Sequence, residues 1–128
     1  KICRYLEKAM AILELSAKKK RKMIGDVNVR LVSDRTIHRF NRQYLAHDYA
    51  TDVLAFESEE EGFLGDVMVS VDTAKSQAAE LGHSLNKEVV ILILHGILHL
   101  LGYRDKTARE KKQMWDKTNE LLGAIQLL

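Results

Sequence analysis

His95 and His99 stand four residues apart inside the most apolar stretch of the chain, residues 89–101. On a helix that spacing puts both imidazoles on one face, one turn apart, where they can reach a single cation. Gly102 follows three residues after His99, where a helix can stop and reverse. Asp105 comes three residues later, giving His-x3-His-x2-Gly-x2-Asp. Two neutral imidazoles and a carboxylate, with a fourth position left to water, form the ligand chemistry of a catalytic zinc; a closed structural site more often recruits cysteine. Histidine pairs at this spacing also occur as hydrogen-bonded residues at the edge of a core. Buried in an unbroken apolar helix, however, each imidazole needs a partner, and a metal would satisfy both. His95, His99 and Asp105 are therefore the candidate ligands of one ion. Zinc is the expected metal, although the same ligands suit nickel, manganese and iron.

Zinc can generate hydroxide near neutral pH or stabilise charge developing on a phosphate oxygen, and both routes serve phosphodiester cleavage. In zinc peptidases a glutamate base follows the first histidine. Here that position is Gly96, which moves no proton, so peptidase chemistry is disfavoured. Asp66, at the start of an expected strand, is the candidate for acid–base catalysis beside His95 and His99. A turn, or a hydrogen bond to a metal histidine, is its alternative role.

Charge adds a partner class. The totals, 20 Lys and Arg against 18 Asp and Glu, conceal an uneven distribution. Residues 1–50 carry 12 basic and 5 acidic side chains, and residues 51–90 carry 2 and 9. Lys18, Lys19, Lys20, Arg21, Lys22 and Arg42 are candidate contacts to an RNA backbone, with Arg30, Arg35 and Arg39 nearby; the alternative for the lysine run is a solvated helix end. Tyr44, Tyr49 and Tyr103 are the few stacking candidates, so recognition by charge and RNA shape is expected.

The elements that must position these residues follow from periodicity. Apolar residues from Ile2 to Ala17 recur every three or four positions, which predicts a helix to about Lys20. Val27, Val29 and Leu31 alternate with polar residues and predict a half-buried strand. Ser33-Asp34 caps a second helix with Ile37, Phe40 and Tyr44 inward. Residues 51–56 and 67–71 read as a hairpin around the acidic loop 57–62. Asp72 is the expected cap of a third helix ending at Gly82. After Ser84 and Asn86 a central apolar helix is expected over Val89–Gly102, its β-branched start leaving a strand possible there. A last helix, 107–122, carries Met114 and Trp115 toward the central one. The expected fold is α+β, a small mixed sheet packed with about five helices in one domain, 1–128, with the metal site at the end of the central helix. The lone Cys3 excludes an internal disulfide and fits a reducing cytoplasm. No stretch reaches the roughly twenty apolar residues of a membrane span. The start at Lys1, without a leader pattern, reads as a trimmed chain.

The stretch His95-Gly96-Ile97-Leu98-His99-Leu100-Leu101-Gly102-Tyr103 resembles the signature of the YbeY family, bacterial metal-dependent endoribonucleases and ribosomal RNA maturation factors. Asn41 with Tyr44, then residues 51–56, then Leu64-Gly65-Asp66-Val67, are similar to the family's other recurring stretches, in order. The resemblance implies a compact α+β fold and a zinc held by histidines. It also implies single-strand RNA cleavage in maturing the 3′ end of small-subunit ribosomal RNA, and a part in ribosome quality control with ribosomal RNA and the small subunit as partners. A non-catalytic assembly factor with a structural metal, or a metal-dependent hydrolase of another substrate, are the alternatives. Two departures stand out. The family's third metal histidine corresponds to Asp105, preceded by Arg104 in place of aspartate. Either Asp105 serves as ligand, or residues are missing from the sequence between Tyr103 and Arg104. The family's arginine after the tyrosine matched by Tyr44 is Leu45.

Overall fold

The computed structural model describes residues 2–19 and 25–127, with side chains at 2–15 and 25–127. Its elements run α1 (Ile2–Lys19), β1 (Asp26–Val32), α2 (Asp34–Leu45), β2 (Val53–Glu57), β3 (Phe63–Ser70), α3 (Val71–Leu81), α4 (Leu85–Leu100) and α5 (Ala108–Ala124). The sheet has the order β1-β3-β2, with β1 parallel and β2 antiparallel to β3. This is the expected α+β class with a mixed sheet. The hairpin also forms, but β3 starts at Phe63 rather than near Val67. Pairing continues through Gly65 and Asp66, opposite Glu57 and Phe56.

Pleating sends alternate side chains to opposite faces of the sheet. Val67 and Val69 enter the main core with Val53, Ala55 and Val27, beneath α4. Met68 turns the other way and joins Leu54 and Ile37 in a smaller core beneath α2, flanked by Phe40 and Phe56. Helix α4 packs against β2, β3, α1, α3 and α5. Every residue from Glu88 to Leu94 is buried. That enclosure explains the apolar character all round the helix, and Ser84 caps its start through a hydrogen bond from the Lys87 amide. Gly96 sits where α4 meets the sheet: a Cβ there would lie 2.5 Å from Val67 Cγ1. Among the described residues, no single helix is long and apolar enough to cross a membrane.

Two expectations about the helices are corrected. The buried stripe of α2 is Ile37 and Asn41, whereas Tyr44 is 59% exposed. The cap of α3 is Ser70, whose Oγ accepts the Thr73 amide at 3.2 Å, not Asp72. Asp72 instead accepts the Asp34 amide at 2.8 Å. Asp34 in turn accepts hydrogen bonds from the hydroxyls of Ser70 and Thr73. The starts of α2 and α3 are thereby tied together across the sheet's end.

The Ser70 hydroxyl, followed by that of Thr73, holds the Asp34 carboxyl below the usual carboxylate range against a smaller opposing effect of burial. A carboxyl depressed in the folded state contributes stability above its unfolded pKa and loses it as pH falls through its folded one. Asp34→Ala is therefore expected to lower unfolding free energy by about 1–2 kcal/mol at neutral pH. The difference should shrink below the carboxylate range, as read by urea unfolding at both pH values.

Candidate metal centre

The end of α4 is shaped by the turn that stops it. The Tyr103 amide donates to the Leu98 carbonyl at 2.9 Å and the Gly102 amide to that of His99 at 3.0 Å, with Gly102 at φ +102°. This pair of bonds is a Schellman cap, which favours glycine at the left-handed position. The reversal does two things for chemistry. It carries Asp105 back beside His99, and it places the Tyr103 carbonyl 3.0 Å from His99 Nδ1. A carbonyl only accepts, so Nδ1 carries a proton; in the neutral ring this leaves the lone pair on Nε2, the tautomer a metal ligand needs.

His95 Nε2 is buried and has no hydrogen-bond partner among the described residues. Burial holds the His95 imidazole below its ordinary pKa; the carboxylates of Asp52 and Asp105 oppose the shift and His99 adds to it. The ring is therefore held neutral, the form that ligates. Trp115 packs edge-on against it with ring centroids 4.7 Å apart. His99 Nε2 lies 3.6 Å from Asp105 Oδ2. Two ligands about 2.0–2.1 Å from a tetrahedral zinc are themselves roughly 3.3 Å apart, so one ion can touch both after a small adjustment. These donors line one cavity of about 200 Å³, shared with Asp52, Val53, Lys111, Met114 and Trp115. Among the described residues, no three His, Cys, Asp or Glu side chains are already drawn together around an ion position. The donor chemistry and the orphaned His95 nitrogen fit a metal.

Asp66 is not part of this group. Val67 points at α4, so its neighbour points away, and Asp66 lines a separate cavity with Arg30, Phe40, Tyr44 and Phe56 on the α2 side. A hydrogen bond from Asp66 to a metal histidine is therefore not formed. A carboxylate that reaches the cavity beside Asp105 is Asp52, at the end of the loop leading into β2. It accepts from Gln77 Nε2 at 3.3 Å and bears on two α4 groups, opposing the shift at His95 and adding to that at Glu88. Met114 and Trp115 arrive from α5 against the central helix as expected, and Lys111 comes with them, a residue that the apolar periodicity does not single out. Arg42 stands apart, with Arg35 and Arg39, along the exposed side of α2 beside a cavity of about 480 Å³. Lys20, Arg21 and Lys22 lie outside the described residues, as do the side chains of Lys18 and Lys19.

The sequence profile of the family described as Endoribonuclease YbeY matches residues 1–126. The chain belongs to the YbeY endoribonuclease family. Among relatives bearing that name, the one from Bacillus licheniformis is 42% identical, the alignment covering 77% of this chain and 71% of the relative. That from Bacillus subtilis is 40% identical over 80% and 74% of the two chains, and that from Bacillus cereus 37% identical over 96% and 88%. The solution structure of TM1509 from Thermotoga maritima aligns with a TM-score of 0.64 and 32% identity, covering 96% of this chain and 82% of that one. YbeY membership places the chain among hydrolases that act on RNA. The departure at Asp105 falls at the rim of the histidine cavity, within reach of His99.

Proposed function

We propose that this YbeY protein is a zinc-dependent endoribonuclease that cuts single-stranded RNA in the cytoplasm. Its place would be the maturation of the small-subunit ribosomal RNA 3′ end and ribosome quality control, with the small subunit as partner. The observation that carries the metal reading is the buried, partnerless His95 Nε2 in a cavity shared with His99 and Asp105. These three residues would hold the ion, and when bound it supplies Lewis acidity toward a phosphate oxygen and acidifies its water ligand.

The chain's own residues supply the rest. Asp52, rather than Asp66, is the carboxylate placed to accept a proton from an attacking water. Lys111 is placed to offset charge on a phosphate in the same cavity. Met114 and Trp115 supply the apolar part of the cavity wall. A purely structural metal would favour a closed ligand shell, whereas this cavity opens to solvent between α4 and α5. Cleavage assays on matched single-stranded and duplex RNAs, with a peptide panel beside them, test the reading. Cutting restricted to single strands is expected; peptide cleavage without RNA cleavage would overturn it.

The arginines of α2 recur at one-turn spacing and form a continuous cationic track. Replacing Arg35, Arg39 and Arg42 together by alanine is expected to weaken binding of all single-stranded RNAs about equally. The slope of log affinity against log salt should fall by about 2, near 0.7 per lost phosphate contact. Fluorescence anisotropy across a salt series reads both quantities.

A further inference from the structure

The cavity holding Asp66 has about 320 Å³ of space and a composition unlike that of the histidine cavity. Its wall is an aromatic corner. Phe40 and Tyr44 stack with centroids 5.6 Å apart and planes 23° apart, and Tyr44 meets Phe56 edge-on at 6.0 Å. Tyr44 leaves 59% of its surface to solvent, an unusual exposure for a side chain already stacked on one neighbour. Two polar groups border that corner. Asp66, half-buried on β3, pairs with Asn28, while Arg30 of β1 lies one pleat along on the same face. With parallel strands about 4.8 Å apart and two residues rising about 6.6 Å, these positions are about 8 Å apart, a span that one planar heterocycle can bridge. Neither Asp66 nor Arg30 is held in an ion pair among the described residues.

We infer that this slot is a nucleobase subsite selective for guanine; the inference rests on the RNA-cleaving function proposed above. Exposed aromatic rings stack on any base and so give affinity without choice. Choice comes from the rim. A carboxylate accepts two parallel N–H bonds, and only guanine presents two adjacent donors, N1–H and the N2 amino group, on its pairing edge. The neighbouring O6 then faces the guanidinium of Arg30, a donor without acceptor capacity. Adenine and cytosine would put a ring nitrogen lone pair against the Asp66 carboxylate, and uracil a carbonyl. The slot lies on the far face of the sheet from the histidines, so it would hold a base some distance along the strand from the scissile bond. It would thereby set which sequences are cut.

Titration of the full chain with GMP, AMP, CMP and UMP, followed by NMR shifts of Tyr44, Phe56 and Arg30, tests this directly. The four share one phosphate, so only the base differs. GMP is expected to bind roughly tenfold tighter than the others, the discrimination of one bidentate contact. Asp66→Asn should erase the preference while leaving weak binding of all four, and Tyr44→Ala, at an exposed position, should weaken all four together. Equal binding of the four nucleotides, shifts confined to residues outside the slot, or an unchanged preference in Asp66→Asn would overturn the inference. Should Asp66→Asn not fold, undiminished binding in Tyr44→Ala would overturn it equally. Because binding is read without turnover, RNA cleavage without guanine preference defeats the subsite alone. Guanine preference without cleavage defeats the nuclease reading alone.

Discussion

His99→Ala is expected to abolish zinc binding and to lower RNA cleavage more than a hundredfold, the loss reached when merely an outer-shell partner of a metal ligand is removed. The fold should survive. The side chain is 32% exposed, and the turn that follows it is held by backbone bonds from Gly102 and Tyr103. Circular dichroism and thermal unfolding without metal should therefore match the unsubstituted protein. His95→Ala is the less clean experiment, because it also removes the ring that packs edge-on against Trp115. Asp105→His supplies the ligand type that the family resemblance implies at this position. Zinc affinity equal to or above that of the original chain is expected, since imidazole is at least as good a zinc ligand as carboxylate. Isothermal titration with zinc distinguishes these variants.

Gly96→Ala should destabilise the protein although helix propensity predicts the opposite. In an exposed helix the substitution gains about 0.5–1 kcal/mol. Here the new methyl would lie 2.5 Å from Val67 Cγ1, 3.0 Å from its Cγ2 and 3.3 Å from Val53 Cγ2. Val67 is fully buried at the centre of β3 and cannot swing aside, so α4 must lift from the sheet. Overpacking of this kind costs about 1–3 kcal/mol, which exceeds the propensity gain. A fall in Tm of several degrees is expected for a domain of this size, where 1 kcal/mol corresponds to about 2–8 °C. The displacement would also move His95, one residue away, so zinc affinity should fall with stability. Val67→Ala removes the opposing methyls, and the double variant should recover part of both losses as a coupling between contacting residues. A Gly96→Ala protein more stable than the original would show that α4 and β3 do not meet as described.

The histidine pair is legible in the sequence because helical spacing alone brings residues 95 and 99 to one face, and the long apolar run around them leaves few other places for a central helix. The Schellman turn is half legible, since Gly102 marks a stop while the bond from His99 Nδ1 to the Tyr103 carbonyl requires coordinates. Asp66 shows where such reasoning fails. A strand's alternation tells which residues share a face but not which face looks toward a distant helix, and the choice hangs on Val67 pointing at Gly96. The early start of β3 is hidden because Gly65-Asp66 interrupts its apolar pattern, though both residues keep their ladder partners. Tyr44 reads as an inward residue because aromatic residues at helical spacing usually are. Asn41 takes the buried position instead, donating to the Tyr49 carbonyl at 3.0 Å. Trp115 is legible as a residue packed toward the central helix, whereas Asp52 and Lys111 come from segments far apart in the chain and meet only once α5 packs on α4. The Thr51–Phe56 stretch does carry a family resemblance, which is the one available signal for Asp52.

RNA cleavage by this chain is expected to depend on a metal held at His95, His99 and Asp105. That dependence is tested most directly by assaying single-stranded RNA cleavage by the purified chain before chelation, after chelation, and after adding back one equivalent of zinc. The expected result is loss of cleavage on chelation and its return with zinc in the original chain but not in His99→Ala. Cleavage that persists undiminished in the metal-free protein, or returns equally in His99→Ala, would contradict it.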